Sequence, residues 1–297
     1  MRSQTPLDRI TKLVFHLVLA IACLACVIPM LLTISISLSS EHSIAFFGYR
    51  LVPREFSIEG YRQIFRQPAA LINAYWVTIR ITVIGTFLGT LFMSMAAFPL
   101  SRRDFSWRRP IILYLIFTML FDAGLVPTYM LITQYLHLQN TLAVQILPLM
   151  ISPWFMFLLL TYMRQLPFEL FESAKVEGAG EFYIYLRIAV PLSKPALATV
   201  GLLLALAMWN EWYQALLYIT NQRLVPLQFW MQRVMQNIQF LLAHQGEMGS
   251  TQIDFSKLPT EPMRMAMAIL AAGPMMFVFP FFQRYFARGL QIGSVKG

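Results

Sequence analysis

The sequence predicts an all-α integral membrane protein with six transmembrane helices and both termini in the cytoplasm. Three observations carry that prediction. Of the 297 residues, 58% are hydrophobic and only 12% charged, against about 25% charged in an average soluble domain, and the mean hydropathy is +0.60. A chain so composed lacks the polar surface to cover a globule in water. Six stretches reach the roughly 20 apolar residues that a bilayer-spanning helix needs. Lysines and arginines crowd alternate connecting segments, as the charge rule for membrane topology requires. The net charge of +9 is therefore read as topology and not as affinity for nucleic acid. Residues 1–297 read as one transmembrane domain.

The first span covers about 13–38 and follows Arg2, Arg9 and Lys12. It is longer than the roughly 7–15-residue core of a signal peptide, and no small-residue cleavage site follows, so it reads as retained. Cys23 and Cys26 lie inside it as C-x-x-C, among Leu, Ala, Ile and Val and with no second pair. They read as small residues buried on a spanning helix. An outer loop, 39–71, mixes aromatic and basic residues (FFGYRLVPREFSIEGYRQIFRQP). The second span, 72–100, ends in SRRDFSWRR, whose arginines Arg102, Arg103, Arg108 and Arg109 anchor that connection inside. The third and fourth spans cover 111–133 and 142–163. An inner segment, 164–195, follows, then a fifth span at 196–219, an outer segment at 220–262 and a sixth span at 263–283. Within 220–262, Leu227, Trp230, Met231, Val234, Met235 and Ile238 recur at helical spacing, which predicts an amphipathic helix on the outer face. Gly, Ser and Asp around 246–256 read as loop. Pro29, Pro148 and Pro274 can kink their spans, a change tolerated where neighbours satisfy the freed backbone groups.

The inner segment holds the stretch ESAKVEGAGEFYIYLRIAVPLSKP, Glu172–Pro195. Pro167, Glu169 and Glu172 suit a helix start, and Gly178 and Gly180 end that helix. EFYIYLRI alternates as a strand would, yet also fits a second short helix. Pro191 and Pro195 close the segment. It is a knob between two spans, dense in aromatics, of a size that suits docking against another protein. Whether Tyr183 and Tyr185 face a partner or pack beneath the spans is left open by the pattern.

These residues resemble the cytoplasmic loop of ATP-binding-cassette importer permeases. That loop reads E-A-A, three residues, Gly, nine residues, Ile, one residue, Leu-Pro. Here Glu172-Ser173-Ala174 is followed by Gly178, Ile188 and Val190-Pro191 at matching spacing, with Ser173 for Ala and Val190 for Leu as mild departures. Glu177 stands where the sugar branch usually has Asp. MWNEWYQALLYI, FDAGLVPTYMLI and the tail FFQRYFARGLQIGSVKG extend the resemblance over nearly the whole chain, toward the smaller permease of alginate or aldouronate importers. The resemblance implies a type I importer permease fold in a bacterial inner membrane. It implies import of oligosaccharides of an acidic, alginate-like class, from a periplasmic binding protein to the cytoplasm, by alternating access. It also implies separate partners: a paralogous second permease, an ATPase dimer that holds ATP and Mg, and a periplasmic solute-binding protein. Glu172, Ser173, Ala174, Glu177 and Gly178 become the ATPase-coupling residues, and the tail from Gly289 to Gly297 is expected to reach toward the ATPase interface.

Ionisable groups inside a span cost about 2.5–3.5 kcal/mol each on insertion scales and mark functional candidates. Arg80 in the second span, where similar sugar permeases carry an apolar residue, is a cation that suits a carboxylate-bearing cargo; snorkelling to the outer interface is its plain alternative. Asp122 in the third span fits a pair with Arg80, a contact with water, or a helix break ahead of Gly124 and Pro127. Trp209, Asn210, Glu211, Trp212 and Tyr213 combine amide, carboxylate and aromatic faces, the groups that sugar recognition uses; as core or belt aromatics they need no ligand. The sequence has no phosphate-binding G-x-x-x-x-G-K-[ST] loop, so no ATP hydrolysis is expected of this chain, and no cofactor. His16, His42, His137 and His244 are scattered without metal spacing. An ion-coupled secondary sugar transporter is the rival class, and would want inverted repeats and more intramembrane carboxylates.

Overall fold

A computed structural model describes residues 6–244 and 259–289. The loop expected around 246–256 and the tail beyond Gly289 lie outside the described residues. Among the described residues every regular element is helical, and the one β feature is an isolated antiparallel bridge between Ser39 and Phe56. The chain divides into two compact units, Met1–Pro68 with Arg233–Gly273, and Ala69–Gln232 with Pro274–Gly297.

The first unit begins with α1, Pro6–Ser37, whose stretch Thr11–Ser37 is long and apolar enough to cross a membrane; its most apolar 18 residues include none that is buried, and only its end, at Ser35–Ser37, is covered. Cys23 and Cys26, expected to be buried, are therefore exposed and free. The reason is that none of the described residues covers α1 along that apolar window. Its end is held by polar contacts. Ser35 Oγ donates to the Arg50 carbonyl (2.7 Å), and Ser37 Oγ lies 3.0 Å from the Tyr61 hydroxyl. Two short helices follow, α2 (Glu41–Phe47), started by the Ser40 side chain, and α3 (Glu59–Ile64). The Glu41 carboxylate accepts from the backbone N–H of Glu261 (3.0 Å), in the first turn of the last helix, Thr260–Gly289, where a negative charge meets the positive end of the dipole. Gly60 sits so close to that helix that a Cβ would come within 2.8 Å of the Pro262 carbonyl carbon.

The second unit is built around α4, Pro68–Ser101. Val77, Ile81, Met93 and Ala97 of α4 are buried with Leu159, Leu160, Leu204 and Met208 in one core. Gly85 and Gly89, four apart on α4, leave room for the Met208 side chain and for the Met150 backbone, as small residues do at membrane helix interfaces. A Cβ on Gly89 would meet the Met150 carbonyl and the Leu204 side chain at overlapping distance.

The stretches read as the third to fifth spans are interrupted. Helix α5 (Arg108–Leu120) and α6 (Leu125–Met130), which runs on through a wider π-type turn over Leu131–Tyr135, meet at 112°. Helices α7 (Leu142–Met150) and α8 (Pro153–Met163) meet at 46°, at an extended Ile151–Ser152 ahead of Pro153. After α9 (Glu169–Val176), α10 (Glu181–Ile184) passes through a π-type turn over Tyr185–Ala189 into α11 (Val190–Leu192), and this run meets α12 (Lys194–Trp209) at 80°. The run over 181–192 settles EFYIYLRI as helix; the strand reading fails because buried Ile184, Tyr185 and Ala189 follow a helical spacing. Tyr185 packs inward and Tyr183 is exposed. The fifth stretch breaks again at 210–212 before α13 (Tyr213–Tyr218). The predicted amphipathic helix is α14, Leu227–Ala243, and the last helix is α15, Thr260–Gly289. Three helices are thus long and apolar enough to cross a membrane singly, and three more stretches qualify only as bent pairs.

Gly89→Ala is expected to destabilise by about 1–3 kcal/mol, the usual cost of forcing volume into a packed contact. Gly201→Ala, whose new carbon would meet only Thr90 Oγ1 at 3.7 Å, should be near neutral. Thermal unfolding of both variants in detergent checks the contrast; equal Tm values would remove Gly89 as a packing constraint.

Candidate functional site

Helix α9 carries acids, Glu169 and Glu172, in its first turn and Lys175 in its last, the polarity that its dipole favours. Phe171 and Ala174, three apart, are buried, and the Phe171 ring meets Phe98 edge-on at 5.9 Å. The opposite face is exposed and presents Glu172, Ser173, Val176 and Glu177. The helix ends in a Schellman cap. Gly178 N–H donates to Lys175 O (3.0 Å), and Ala179 N–H donates to Ala174 O (2.9 Å). Gly178 has φ +83, a conformation that costs an L-residue about 1–2 kcal/mol. No atom lies within 4 Å of where its Cβ would be, so the backbone angle alone demands glycine. Of the five coupling candidates, Glu172, Ser173, Glu177 and Gly178 lie on the outside, while Ala174 faces the core as part of the anchor.

A charge network that the motif reading missed fixes this helix in place. Arg102, 6% exposed, lies at the end of α4. Its Nε and Nη2 donate to the two Asp104 carboxylate oxygens (3.1 and 2.8 Å), and its Nη1 donates to Glu181 Oε2 (2.9 Å). Lys175 Nζ lies 3.1 Å from Asp104 Oδ2 and 2.7 Å from Glu181 Oε1. The guanidinium carbon also lies 5.7 Å from the Phe98 ring centre and 5.9 Å from that of Phe171. Two cations and two carboxylates thus join the end of α4, the turn after it, α9 and α10. The Arg102 hydrogen bonds, with those of Lys175, hold the Asp104 carboxyl down at about 2 against its burial. The Glu181 and Asp104 carboxylates raise Lys175. The stabilisation from Asp104 is complete above the ordinary carboxylate range and is lost as pH falls toward 2; that from Lys175 is complete below the ordinary lysine value and is lost as pH rises past it. Arg102 and Lys175 were legible only as topology charges. The signal available was the acid two residues after Arg102, and Glu181 placed six residues after Lys175.

No hydrogen bond or ion pair among the described residues joins Arg80, Asp122 and Glu211. Arg80 is exposed on α4 and has no carboxylate partner among the described residues. Asp122 makes a helix break: its Oδ1 accepts from Gly124 N–H (3.0 Å), where Gly124 has φ +84. Glu211 Oε1 accepts from Gln214 N–H (2.6 Å) in the first turn of α13. Asn210 donates to Leu206 O (2.9 Å) and accepts from Gln228 (3.2 Å). Both polar groups of the WNEWY stretch thus serve the break between α12 and α13. Trp209 is buried, whereas Trp212 and Tyr213 are exposed and pack edge-to-face at 5.9 Å.

Trp209 does line a cavity of about 710 Å³, together with Tyr75, Thr82, Thr86, Thr90 and Gly201. The buried Thr82, Thr86 and Thr90 hydroxyls have no hydrogen-bond partner among the described residues. They stand at four-residue spacing with Thr78, which accepts from Leu227 N–H (2.8 Å), and Ser94, bonded to the Tyr185 hydroxyl (2.7 Å). Buried hydroxyls are ordinarily paired, so these three are free to bond a polar group entering the cavity. The five-fold Thr/Ser repeat was visible in the sequence and was not singled out. Among the described residues no cluster of His, Cys, Asp and Glu could hold a metal ion.

Comparison with known proteins adds to this geometry. The family of binding-protein-dependent transport system inner membrane components matches residues 1–292. Protein LplC of Bacillus subtilis (strain 168) is 36% identical over 271 residues, covering 91% of this chain and 90% of that protein. The polygalacturonan/rhamnogalacturonan transport system permease protein YtcP of the same strain is 32% identical over 290 residues, 98% of this chain and 99% of that protein. The fold is shared with a bacterial ABC transporter chain, from a transporter involved in the import of the acidic polysaccharide alginate. There the TM-score is 0.79 at 24% identity, over 96% of this chain and 100% of that one.

Asp104→Asn and Glu181→Gln are each expected to cost about 1 kcal/mol or less, as half-exposed partners do. The double variant strands the buried Arg102 charge and should exceed the sum of the single changes by about 0.5–3 kcal/mol. Unfolding of the single and double variants measures that excess; strict additivity would show that Arg102 does not couple the two carboxylates.

Proposed function

The chain belongs to the binding-protein-dependent transport system inner membrane components, and on that premise we propose that it is the smaller transmembrane subunit of an ATP-driven oligosaccharide importer. Members of this family are transport components, and the chain is not itself an enzyme. In this reading the three single helices, the bent pairs over 108–135 and 142–163, and the stretch 196–219 make six spans in a type I permease fold, with both termini and the 164–195 segment cytoplasmic and the 39–71 and 220–262 segments periplasmic. The chain pairs with a second, paralogous permease, takes cargo from a periplasmic binding protein and works by alternating access. ATP and Mg bind to a separate ATPase dimer.

The observation that carries the coupling role is the capped helix α9. Its exposed face carries Glu172, Ser173 and Glu177 around Val176, its other face is anchored by Phe171 and Ala174, and its far end is tied by the Arg102 network. A knob held this rigidly can pass motion between an ATPase and the membrane helices. Glu172, Ser173, Glu177 and Gly178 form the contact, and Ala174 seats the helix.

For cargo we propose acidic oligosaccharides. A galacturonan carries a carboxylate on each sugar, and the resemblance to the polygalacturonan/rhamnogalacturonan permease supports this class. Arg80, an exposed cation with no acid partner among the described residues, supplies the complementary charge. Trp209 with the Thr82, Thr86 and Thr90 hydroxyls, and the exposed Trp212–Tyr213 pair, supply hydroxyl and ring contacts along the path; Asp122, Asn210 and Glu211 shape the helix breaks beside it.

Reconstitution of the chain with its partner subunits in proteoliposomes tests the reading, with ATP-dependent uptake expected. Uptake driven by a proton or sodium gradient without ATP would overturn it. Glu172→Lys is expected to leave assembly and membrane insertion intact and to lower substrate-stimulated ATPase activity about 5-fold or more, the scale of a typical coupling energy; unchanged stimulation would remove α9 as the coupling element. Arg80→Ala should weaken uptake of oligogalacturonate more than uptake of a neutral oligosaccharide of equal length, and equal losses would return Arg80 to a packing role.

A further inference from the structure

The turn between α4 and α5 holds a second set of charges, and these are not neutralised. Arg103, Arg108 and Arg109 line a cavity of about 730 Å³ with Phe105, Ile112 and Leu113. Arg164, at the end of α8, stands near enough to Arg108 that the neighbouring positive charge, after burial, lowers its pKa. The nearby carboxylates of Asp104 and Glu181 are already engaged by Arg102 and Lys175, two acids against two bases. No ion pair to Arg103, Arg108, Arg109 or Arg164 occurs among the described residues. Three guanidinium groups thus line one concave site, with a fourth beside it, and no carboxylate among the described residues pairs with them.

The surroundings identify what balances them. Ile112 and Leu113 form the apolar wall of the cavity, and the exposed apolar surface continues along α5 through Leu113, Phe117 and Leu120. Trp107, just before α5, is also exposed, as aromatic residues are where helices enter a bilayer. The occupant must therefore offer several anionic oxygens at one end and hydrocarbon at the other. Guanidinium groups bind phosphate oxygens in pairs, and basic pockets beside spanning helices take anionic head groups. A free anion has no use for the apolar wall. An acidic protein surface would not extend down a spanning helix.

We propose that the Arg103–Arg108–Arg109 cavity, with Arg164 beside it, binds the phosphate of an anionic phospholipid whose acyl chains lie along α5. This rests on the reading that α5 enters the membrane and is independent of what the transporter carries. The test uses the full chain purified with its partner subunits in detergent. Phosphatidylglycerol or cardiolipin is expected to raise Tm and to stay bound in native mass spectrometry, while phosphatidylcholine does neither. In Arg108→Gln/Arg109→Gln the retained anionic lipid should fall by about tenfold or more. Arg103→Gln/Arg109→Gln, which changes only exposed side chains, provides a second variant should the first fold poorly, and Arg→Lys at both positions should restore part of the retention. Equal retention by wild type and both Gln variants would overturn the proposal. So would stabilisation by inorganic phosphate at the same phosphate concentration, which would mark a small-anion site. Loss of ATPase association with lipid retention unchanged would also overturn it and assign the arginines to a protein partner. Because lipid retention is read without transport, loss of ATP-driven uptake alone would bear on the proposed function and not on this site.

Discussion

The inner end of the second unit depends on the buried guanidinium of Arg102. A buried cation is costly unless paired and fully hydrogen-bonded. Arg102 meets that demand with three charge-assisted bonds to two carboxylates, and with the faces of Phe98 and Phe171. The acids come from different parts of the chain, Asp104 after α4 and Glu181 at the start of α10. Satisfying one side chain therefore brings α4, α9 and α10 together. Lys175 joins the same two acids and makes the cluster neutral. The aromatic anchor under α9 and the charge network at its end act on the same short helix, which by itself is too short to be stable in water.

Rigidity at that point contrasts with the interruptions elsewhere. Each of the three bent stretches breaks at residues with a local reason for doing so. Gly124 takes a left-handed angle and is bonded by Asp122; Ile151 and Ser152 are extended ahead of Pro153; Ser193 separates α11 from α12 ahead of Pro195. Broken helices leave backbone groups unpaired, and in a membrane-spanning region these must be met by side chains. Asp122 does this at the first of these breaks and Glu211 at the further break between α12 and α13, which gives both carboxylates a local role. Arg80 has no such local duty, and for that reason it is the membrane charge that a cargo reading can use.

Much of the fold was legible because hydrophobic length and loop charge are local properties. The apolar stretches appear as helices at the expected places, Gly178 ends α9 as its spacing implied, and the amphipathic pattern after Leu227 is a helix. What the sequence left unread shares one cause, which is dependence on packing. Cys23 and Cys26 were expected to be buried, but burial needs a neighbour, and none of the described residues covers α1 along its apolar window. The local roles of Glu211 and Asn210, whose hydrogen bonds go to backbone and to Gln228, were likewise unreadable from the sequence. The Thr82–Thr86–Thr90 series lacked meaning until a cavity lay beside it.

Composition, apolar length and cation placement by themselves determined that this is a helical membrane protein, and motif spacing alone located the helix that ends at Gly178. These follow from the cost of hiding polar groups in hydrocarbon and from the backbone angle that only glycine takes freely, and neither needs a distant contact. The tertiary structure decided which face of α9 is anchored, that Ala174 belongs to the core, and that Arg102 closes a network with Asp104, Lys175 and Glu181 while the neighbouring arginines stay uncompensated. The physical reason is that the pairing of a charge depends on which oxygens the fold brings within about 3 Å, and residues 102 and 181 are brought together only by the packing of α4 against the segment that follows α9.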